Sequence, residues 1–532
     1  MGPVTATAAD AVVVGAGPNG LVAAITLADA GWDVVLLEAR DKVGGAVSSV
    51  ERDGWVMDEF SACYPLAVAS PVMVDLDLGA YGLTWRRSDT VVTHVGTPDD
   101  QRGVSIYADP ARTAAALAEE HPVDGQAWLD LVAQYDRIKG PFLDALLTRW
   151  PPVSPAVRLA RAWGATDLLA LVRFLTLPTT RMGEELFRGQ GGRMLLAGNA
   201  MHADIPPEAP GSGLFGWLLS MLAQDVGFPS PEGGAGQLAE ALASRARAAG
   251  VQIRTGAQVE AIAVSGGRAV GVRLADGTRV TARRAVVADT SATALYERLL
   301  PSYAVPSSVR EGLRTFEWDL PTLKLNYRLS ATPAWTAVEA RSAGVVHVGR
   351  DAGGIVRWSA DLATGRVPSR PFALVGQMST IDPTRSPEGT ESLWLYTHLP
   401  RGVTDDTSAA QLVERAQEML EAFAPGFRSL VVDRWVQRPS DLAAADANLV
   451  GGAVNGGTAQ LFQQLVFRPV VGPGGPRTPV SNLYLGSAAI HPGGGVHGAC
   501  GHLAAIQALS DHRWWSRPGN AVVRRALRRL DH

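Results

Sequence analysis

Cysteine is nearly missing from this chain: there are two in 532 residues, Cys63 and Cys500. Two widely separated thiols cannot build a disulfide framework, a C-x-x-C redox pair or a thiolate metal site, so no metal centre is expected. Charge is sparse as well. Charged residues make up 19%, with 48 Lys and Arg against 52 Asp and Glu and a net charge of −4, which leaves no basic footprint for nucleic acid. The apolar run 214–223 (LFGWLLSMLA) is far too short to span a bilayer. The opening MGPVTATAAD has neither the charged region nor the apolar region of a secretory leader, so a cytoplasmic protein is expected. No internal repeat and no long low-complexity linker stands out. With 46% hydrophobic residues over this length, the expectation is a folded chain of two interleaved domains rather than one simple core.

Glycine is abundant, at 57 residues, and alanine-rich helices recur, a composition that suits an α/β fold and GC-rich bacterial coding DNA. The most informative stretch is 11–45, AVVVGAGPNGLVAAITLADAGWDVVLLEARDKVGG. Ala11 to Val14 reads as a buried strand, Leu21 to Ala30 as a helix, and Val34 to Leu37 as a second strand ending at Glu38. Gly15, Gly17 and Gly20 have the spacing G-x-G-x-x-G between the first strand and the helix. This is a βαβ unit with a dinucleotide fingerprint. Gly15 permits the tight turn, Gly17 lets the backbone approach a pyrophosphate, and Gly20 lets helix and strand pack closely. The helix N-terminus offers N–H groups and positive dipole to phosphate. Glu38, 23 residues after Gly15, suits a ribose 2′-OH and repels a 2′-phosphate, which favours FAD or NAD over NADP.

Arg40, Asp41 and Lys42 then lead to Val43-Gly44-Gly45. This segment resembles the second glycine motif of the glutathione-reductase-like FAD superfamily, in the subgroup of amine oxidases and phytoene desaturases. Residues 482–504, NLYLGSAAIHPGGGVHGACGHLA, agree. A strand, Leu483 to Leu485, meets Gly486, and Gly493-Gly494-Gly495 opens a helix expected to begin near Val496. The phrase HPGGGV closely resembles the phytoene-desaturase-like flavin oxidoreductases, most of all the bacterial branch akin to a pyridine nucleotide-disulfide oxidoreductase-domain protein of animal mitochondria. Pro231-Glu232-Gly233-Gly234, before a helix from Gln237 to Ala249, is similar to the central P-x-GG motif of that family. Strands are expected at Val251–Arg254, Val259–Val264, Ala269–Leu274, Arg279–Ala282 and Ala285–Ala288, with hairpin turns at Gly266-Gly267 and Asp276-Gly277.

The resemblance implies FAD as cofactor. Its binding set maps onto Gly15, Gly17, Pro18, Asn19 and Gly20, then Glu38, Ala39 and Arg40, then Gly44, Gly45 and Ala46. Val259 falls where the family backbone meets adenine, and Gly486, Gly494, Gly495 and Val496 fall beside the flavin. The implied fold is α/β: a Rossmann-type FAD-binding domain (10–95, 228–300 and 478–515) with an interleaved α+β substrate domain (96–227 and 301–477). In the first insertion helical periodicity covers Pro110–Ala118, Ala127–Lys139 and Thr166–Leu175, with a loop at Pro151-Pro152 and Pro155. The second alternates like strands at Thr322–Leu329 and Leu393–Thr397, followed by a helix from Ser408 to Ala424.

The candidates for chemistry are histidines. His497, read as lying in the first turn of the last helix, is a candidate to stabilise reduced flavin or move a proton, with His491 across the glycine turn. His202 with Asp204 is a candidate base and orienting carboxylate. The plainer readings are a strand-end cap for His491, a structural donor for His497 and a loop between helices for 199–207; His502 and Asp289 read as structural. Lys324 sits in an alternating run. Amine oxidases often place a lysine near the flavin N5, but strand lysines usually face solvent. Cys500 reads as a buried, inert thiol. Trp128, Phe142, Trp163, Phe174, Phe215, Trp217, Phe316 and Trp318 could line an apolar tunnel or pack a core.

The expected activity is an FAD-dependent oxidoreductase that desaturates an apolar, isoprenoid- or polyene-like small molecule. Its electrons would pass to oxygen, a quinone or a protein acceptor, since no second βαβ nucleotide unit and hence no nicotinamide domain is visible. Oxidation of a C–N bond, a redox-neutral flavin isomerase and a non-catalytic prenyl- or FAD-binding protein are the alternatives. In the basic tail 516–532, preceded by Trp514-Trp515, Val522 to Leu530 (VVRRALRRL) reads as a short basic amphipathic helix with an aromatic anchor. It suits either peripheral contact with an anionic membrane or docking on the protein.

Overall fold

A computed structural model describes residues 7–164, 167–472 and 474–513. The tail with Trp514, Trp515 and the run 522–530 lies outside the described residues, as does Thr166. Two seven-stranded sheets form the framework. In the first, Thr7–Val14 lies between Val34–Leu37 and Arg279–Ala288, parallel to both. Its central residues are buried on both faces, which is why they read as an unbroken apolar run rather than an alternating one. Gln252–Arg254 extends the sheet beyond Val34–Leu37, and Leu483–Leu485 joins parallel to the end of Arg279–Ala288. The antiparallel meander Val259–Ser265, Arg268–Leu274 and the first half of Arg279–Ala288 forms the other side.

The two strands expected over 279–288 are therefore one. On one edge this strand runs parallel to Thr7–Val14 from Val280 to Ala288, with a register irregularity at Ala9/Ala11; on the other it pairs antiparallel with Arg268–Leu274 at its start and parallel with Leu483–Leu485 at its end. Arg283 marks the crossover on the outside, where it bonds Asp10 at 3.0 Å and Asp33 at 3.1 Å.

The second sheet runs Val431–Gln437, Thr322–Leu329, Glu391–His398, Ala373–Gln377, Ala343–Val348, Thr90–Val95 and Val104–Tyr107. Thr90–Val95, expected within the first cofactor segment, pairs in this sheet instead, so the chain crosses over before residue 95. Helices pack beside it. Pro110–Glu120 is capped by Asp109, and Asp406–Phe423 by Asp405, whose carboxylate accepts from the Ser408 N–H at 2.8 Å. Pro122–Leu147 continues through Pro141, well past the expected end at Lys139. Pro155 lies in the first turn of Val153–Trp163 rather than in the preceding loop, a position where proline costs no intrahelical bond.

The aromatic residues of the first insertion pack on one another. Phe142 and Phe174 each lie edge-on to Trp217 at 5.3 Å, and Trp163 lies 5.2 Å from Phe174. They form a helical core beside the second sheet, not a tunnel. Among the described residues, no helix is long and apolar enough to cross a membrane.

Candidate active site

Between the two sheets lies a cavity of about 980 Å³. One end is made by the first βαβ unit. Gly15 has φ +97, and a Cβ on Gly20 would stand 2.0 Å from the Gly15 carbonyl, so turn and helix close on each other only with glycine at both positions. The helix Pro18–Asp29 starts there with proline in its first turn, where the missing N–H costs nothing. The last helix starts alongside it. A Cβ on Gly501 would lie 1.8 Å from the Asn19 carbonyl, so the two helix N-termini are in backbone contact at the same wall. That helix begins at Ala499 after Gly498, not near Val496, because Gly498 holds a left-handed conformation (φ +71). Gly493, Gly495 and Gly498 also repeat the G-x-G-x-x-G spacing, and Gly495 lines this same cavity.

Of the expected cofactor residues, Gly15, Gly17, Pro18, Asn19, Glu38, Ala39, Arg40, Gly45, Ala46, Val259, Gly494, Gly495 and Val496 line the cavity. Gly20, Gly44 and Gly486 stand behind the wall. A Cβ on Gly44 would meet the Val47 carbonyl at 2.4 Å, and one on Gly486 would meet Val287 at 3.1 Å, so these glycines shape the turns that others present. Glu38 accepts from the Ala16 N–H at 2.8 Å and the Arg40 N–H at 2.9 Å, which holds its carboxylate at the end of the second strand.

Asp289 does more than end a strand. Its carboxylate accepts the Gly20 N–H at 2.8 Å and packs under Gly17. Burial, helped by nearby Asp446 and Glu38, pushes it up to about 7. Asp446 is raised by its own burial. It comes from the loop 446–449 after the helix Pro439–Ala445, which closes this end and which no local sequence signal marked.

The donors and acceptors of this end fit FAD. The glycine turn leaves backbone bare where a pyrophosphate would lie, and two buried polar atoms of wall residues, Asn19 Oδ1 and Thr290 Oγ1, have no partner among the described residues. Acids whose burial favours the neutral form can stand beside an anionic phosphate at low electrostatic cost.

The other end is apolar. Leu66, Leu219, Phe228, Val345, Trp394 and Tyr396 line it. None of the eight aromatic residues expected there takes part. Trp394 and Tyr396 come from the strand Glu391–His398 of the second sheet, and their rings stack at 6.0 Å. A lysine and a histidine also reach this wall, Lys324 and His202.

Lys324 is buried rather than facing solvent, because Thr322–Leu329 is covered on both faces. Its Nζ donates to the Asp58 and Phe60 carbonyls, the latter at 2.7 Å, and burial lowers it to about 7. Beneath it a fully buried ion pair, Arg385 to Asp58 at 2.6 Å, ties the second sheet's loop to the first domain.

His202 does not pair with Asp204. Asp204 bonds His398 at 2.8 Å and Asn455 at 2.9 Å, while His202 Nε2 stands 3.0 Å from His347 Nε2. His497 is not on the wall. Its Nδ1 accepts the Ala499 N–H at 3.1 Å, its carbonyl accepts from Ser70 at 2.7 Å, and burial pushes it down to about 4. It is a helix cap, two residues short of the helix in which it was expected. His491 is likewise off the wall, and His502 bonds Thr26 at 3.3 Å on the far side of the crossing helices. Cys500 is fully buried, its thiol pushed up to about 12 by burial, which makes it inert.

A glycine-built dinucleotide cradle opening into an apolar chamber defines an oxidoreductase that holds FAD between two domains. The profile of the family described as flavin containing amine oxidoreductase matches residues 19–502, and the chain belongs to that family. Among curated proteins it is similar to pyridine nucleotide-disulfide oxidoreductase domain-containing protein 2 of Rattus norvegicus, 30% identical over 94% of this chain and 93% of the relative. It is also similar to the zeta-carotene-forming phytoene desaturase of Myxococcus xanthus, 28% identical over 91% of this chain and 90% of the relative. Among solved structures an oxidoreductase from Methanosarcina mazei shares the fold, with a TM-score of 0.60 at 17% identity, covering 94% of this chain and 99% of that one.

Proposed function

We propose that the protein is a dehydrogenase of an apolar, isoprenoid- or polyene-like molecule, introducing a carbon–carbon double bond. The observation that carries this reading is the chemistry of the chamber beyond the cradle. Its wall is hydrocarbon and aromatic, and the acids of the cavity, Glu38, Glu260, Asp289 and Asp446, belong to the dinucleotide end. No carboxylate lines the apolar end to receive an ammonium substrate, which favours a carbon chain over an amine. The similarity to a phytoene desaturase along most of both chains points the same way.

When bound, FAD supplies the two-electron acceptor for the hydride. The chain's own contribution is to orient and to exclude water. Gly15 to Gly20, Glu38 and Gly45 hold the dinucleotide part, Gly494 to Val496 approach the flavin part, and Trp394, Tyr396 and Phe228 hold the substrate's carbon chain. Oxygen, a quinone or a protein then takes the electrons, in the cytoplasm or at the membrane face that the basic tail suits. The test is anaerobic mixing of the yellow protein with phytoene in micelles and, separately, with a primary alkylamine. Bleaching of the flavin by phytoene supports the reading; bleaching by the amine alone overturns it.

A further inference from the structure

Three histidines from three distant segments form a chain that starts at the apolar end of the cavity. His94 and His347 are register partners in the parallel strands Thr90–Val95 and Ala343–Val348, so their rings leave the same face of the sheet. His347 Nε2 stands 3.0 Å from the Nε2 of His202, and the ring of His94 lies edge-on to that of His347 at 5.6 Å. At the far end His94 Nε2 reaches the Arg350 carbonyl at 2.5 Å. The Nδ1 atoms of His94 and His347 are buried and unpartnered among the described residues. Both face the backbone of Gly198: a Cβ there would lie 2.6 Å from one and 2.3 Å from the other. Glycine at 198, in the helix Gln190–Ala200, is what lets the two rings converge.

We propose that His347 and His94 are positioning residues that fix the tautomer of His202, so that His202 presents a bare Nδ1 and takes the proton in the dehydrogenation. This rests on the dehydrogenase reading above. The logic follows from what each partner can do. A carbonyl only accepts, so the proton of His94 sits on Nε2 and its Nδ1 is a lone pair. Burial pushes His94 and His202 down to about 4, and His347 well below its usual value, so each ring is neutral at pH 7 and carries one proton. Asp204 beside His202, and Asp351 and Asp100 toward His94, oppose that shift without overcoming it. The two Nδ1 atoms converge on Gly198 without a hydrogen bond between them, and a His347 proton on Nδ1 puts an N–H rather than a second lone pair beside that of His94; His347 then accepts at Nε2 from His202. The proton of His202 is then on Nε2, and Nδ1 is the base.

FAD, when bound, would accept one substrate hydrogen together with both electrons of its C–H bond. The neighbouring C–H gives its proton to His202 Nδ1, and its electron pair closes the double bond. The substrate loses one hydride and one proton, and His202 becomes an imidazolium that shares its charge with His347 through the Nε2 contact. A weak base suffices, because a C–H beside a carbon that is losing hydride is far more acidic than any imidazolium.

The test uses the FAD-loaded full chain. Histidine-selective ¹⁵N labelling reads the tautomers directly: His202 is expected with its proton on Nε2, and His94→Phe is expected to leave a mixture. His202→Phe should keep FAD and its reducibility by dithionite, yet slow reduction by phytoene about 100-fold or more. His202→Gln retains a donor toward His347 but has no basic nitrogen, and should show the same loss with unchanged thermal stability. A proton found on His202 Nδ1, or either His202 variant reducing at the wild-type rate, overturns the proposal. A wild-type protein left oxidised by phytoene overturns the dehydrogenase reading, and the role of His202 with it. A wild type that bleaches alongside an unimpaired His202→Phe overturns the role of His202 alone.

Discussion

At the dinucleotide end one stretch, Gly15 to Ala46, supplies the largest single share of the wall, and it works largely through backbone: bare glycines, two helix N-termini, carboxylates pinned by N–H groups. At the substrate end the wall is side chains, and they arrive from segments far apart, among them Leu66, His202, Lys324 and Trp394. A dinucleotide is held by features that each need a particular residue at a fixed local spacing. A hydrocarbon chain needs only shape and the absence of charge, which many residues can supply from any part of the chain. The first kind of site tolerates almost no change at its turns. The second kind should tolerate volume-conserving change everywhere except at its few polar groups.

The sharpest way to break the comparison is Gly17→Val. A Cβ there would stand 2.9 Å from the Asp289 carboxylate, and a branched side chain would enter the cavity where phosphate is expected. The expected outcome is protein that folds but carries less than about a tenth of the wild-type FAD, read from the absorbance of flavin released on denaturation. Full occupancy would mean that the cradle is not the dinucleotide site.

Lys324→Met tests the other end. It removes the donor shared by the Asp58 and Phe60 carbonyls while keeping most of the side-chain volume. Two buried carbonyls left without a donor cost about 2–4 kcal/mol together. FAD should stay bound, the melting temperature should fall by several degrees, and the segment 60–64 that lines the chamber should become more susceptible to proteolysis. Loss of FAD on this substitution would show that the two ends are not separable.

The two ends also differ in how much of them can be read without coordinates. The cradle was legible because strand, turn, helix and acid follow one another within a short span, each with a local physical reason. The chamber was not. Eight aromatic residues were candidates for its wall, and the wall uses Phe60, Tyr64, Phe228, Trp394 and Tyr396 instead, since burial alone does not say against what a ring is buried. His202 and Asp204 are close in sequence, but Asp204 has a positive φ of 53, which turns its carboxylate toward His398 and Asn455. Lys324 alternates as a half-exposed strand would, but helix and sheet cover both of its faces. The partners of His202, at positions 94 and 347, are brought together only by strand register.

A subtler contrast concerns pH. Asp289 is held at about 7 in the folded protein against an ordinary carboxyl value near 4 in the unfolded chain. Between those values the folded state binds more protons than the unfolded one. Its contribution to stability is therefore complete below about pH 4 and is lost as pH rises through about 7. Glu391, pushed up to about 7 by its own burial in the second sheet, contributes with the same sign. The buried His94, His202 and His497, held down by burial, contribute with the opposite sign between about pH 4 and 6.5, so the test is a difference: relative to Asp289→Asn, which cannot ionise, the wild type should lose melting temperature as pH rises from 5 to 8. The same substitution should make FAD retention less dependent on pH, whereas Glu391→Gln should shift the slope of the stability curve in the same direction and leave FAD retention as in the wild type. Equal slopes in wild type and Asp289→Asn would remove Asp289 from this account.

The smallest effect is expected at His497, the residue whose place differs most from its expected role. Its Nδ1 satisfies the N–H of Ala499 at the start of the last helix, and its ring stands behind the wall formed by Gly494, Gly495 and Val496. His497→Ala removes one cap, which is worth about 1 kcal/mol, and in a chain of this size that lowers the melting temperature by only about 1–2 °C. The carbonyl of residue 497, which accepts from Ser70, is unaffected by the substitution, so the turn keeps its second anchor. FAD content and the rate of flavin reduction by substrate should match the wild type. A reduction rate that falls tenfold or more while FAD stays bound would return His497 to the chemistry, and would mean that the glycine turn moves when substrate enters and brings the ring to the wall.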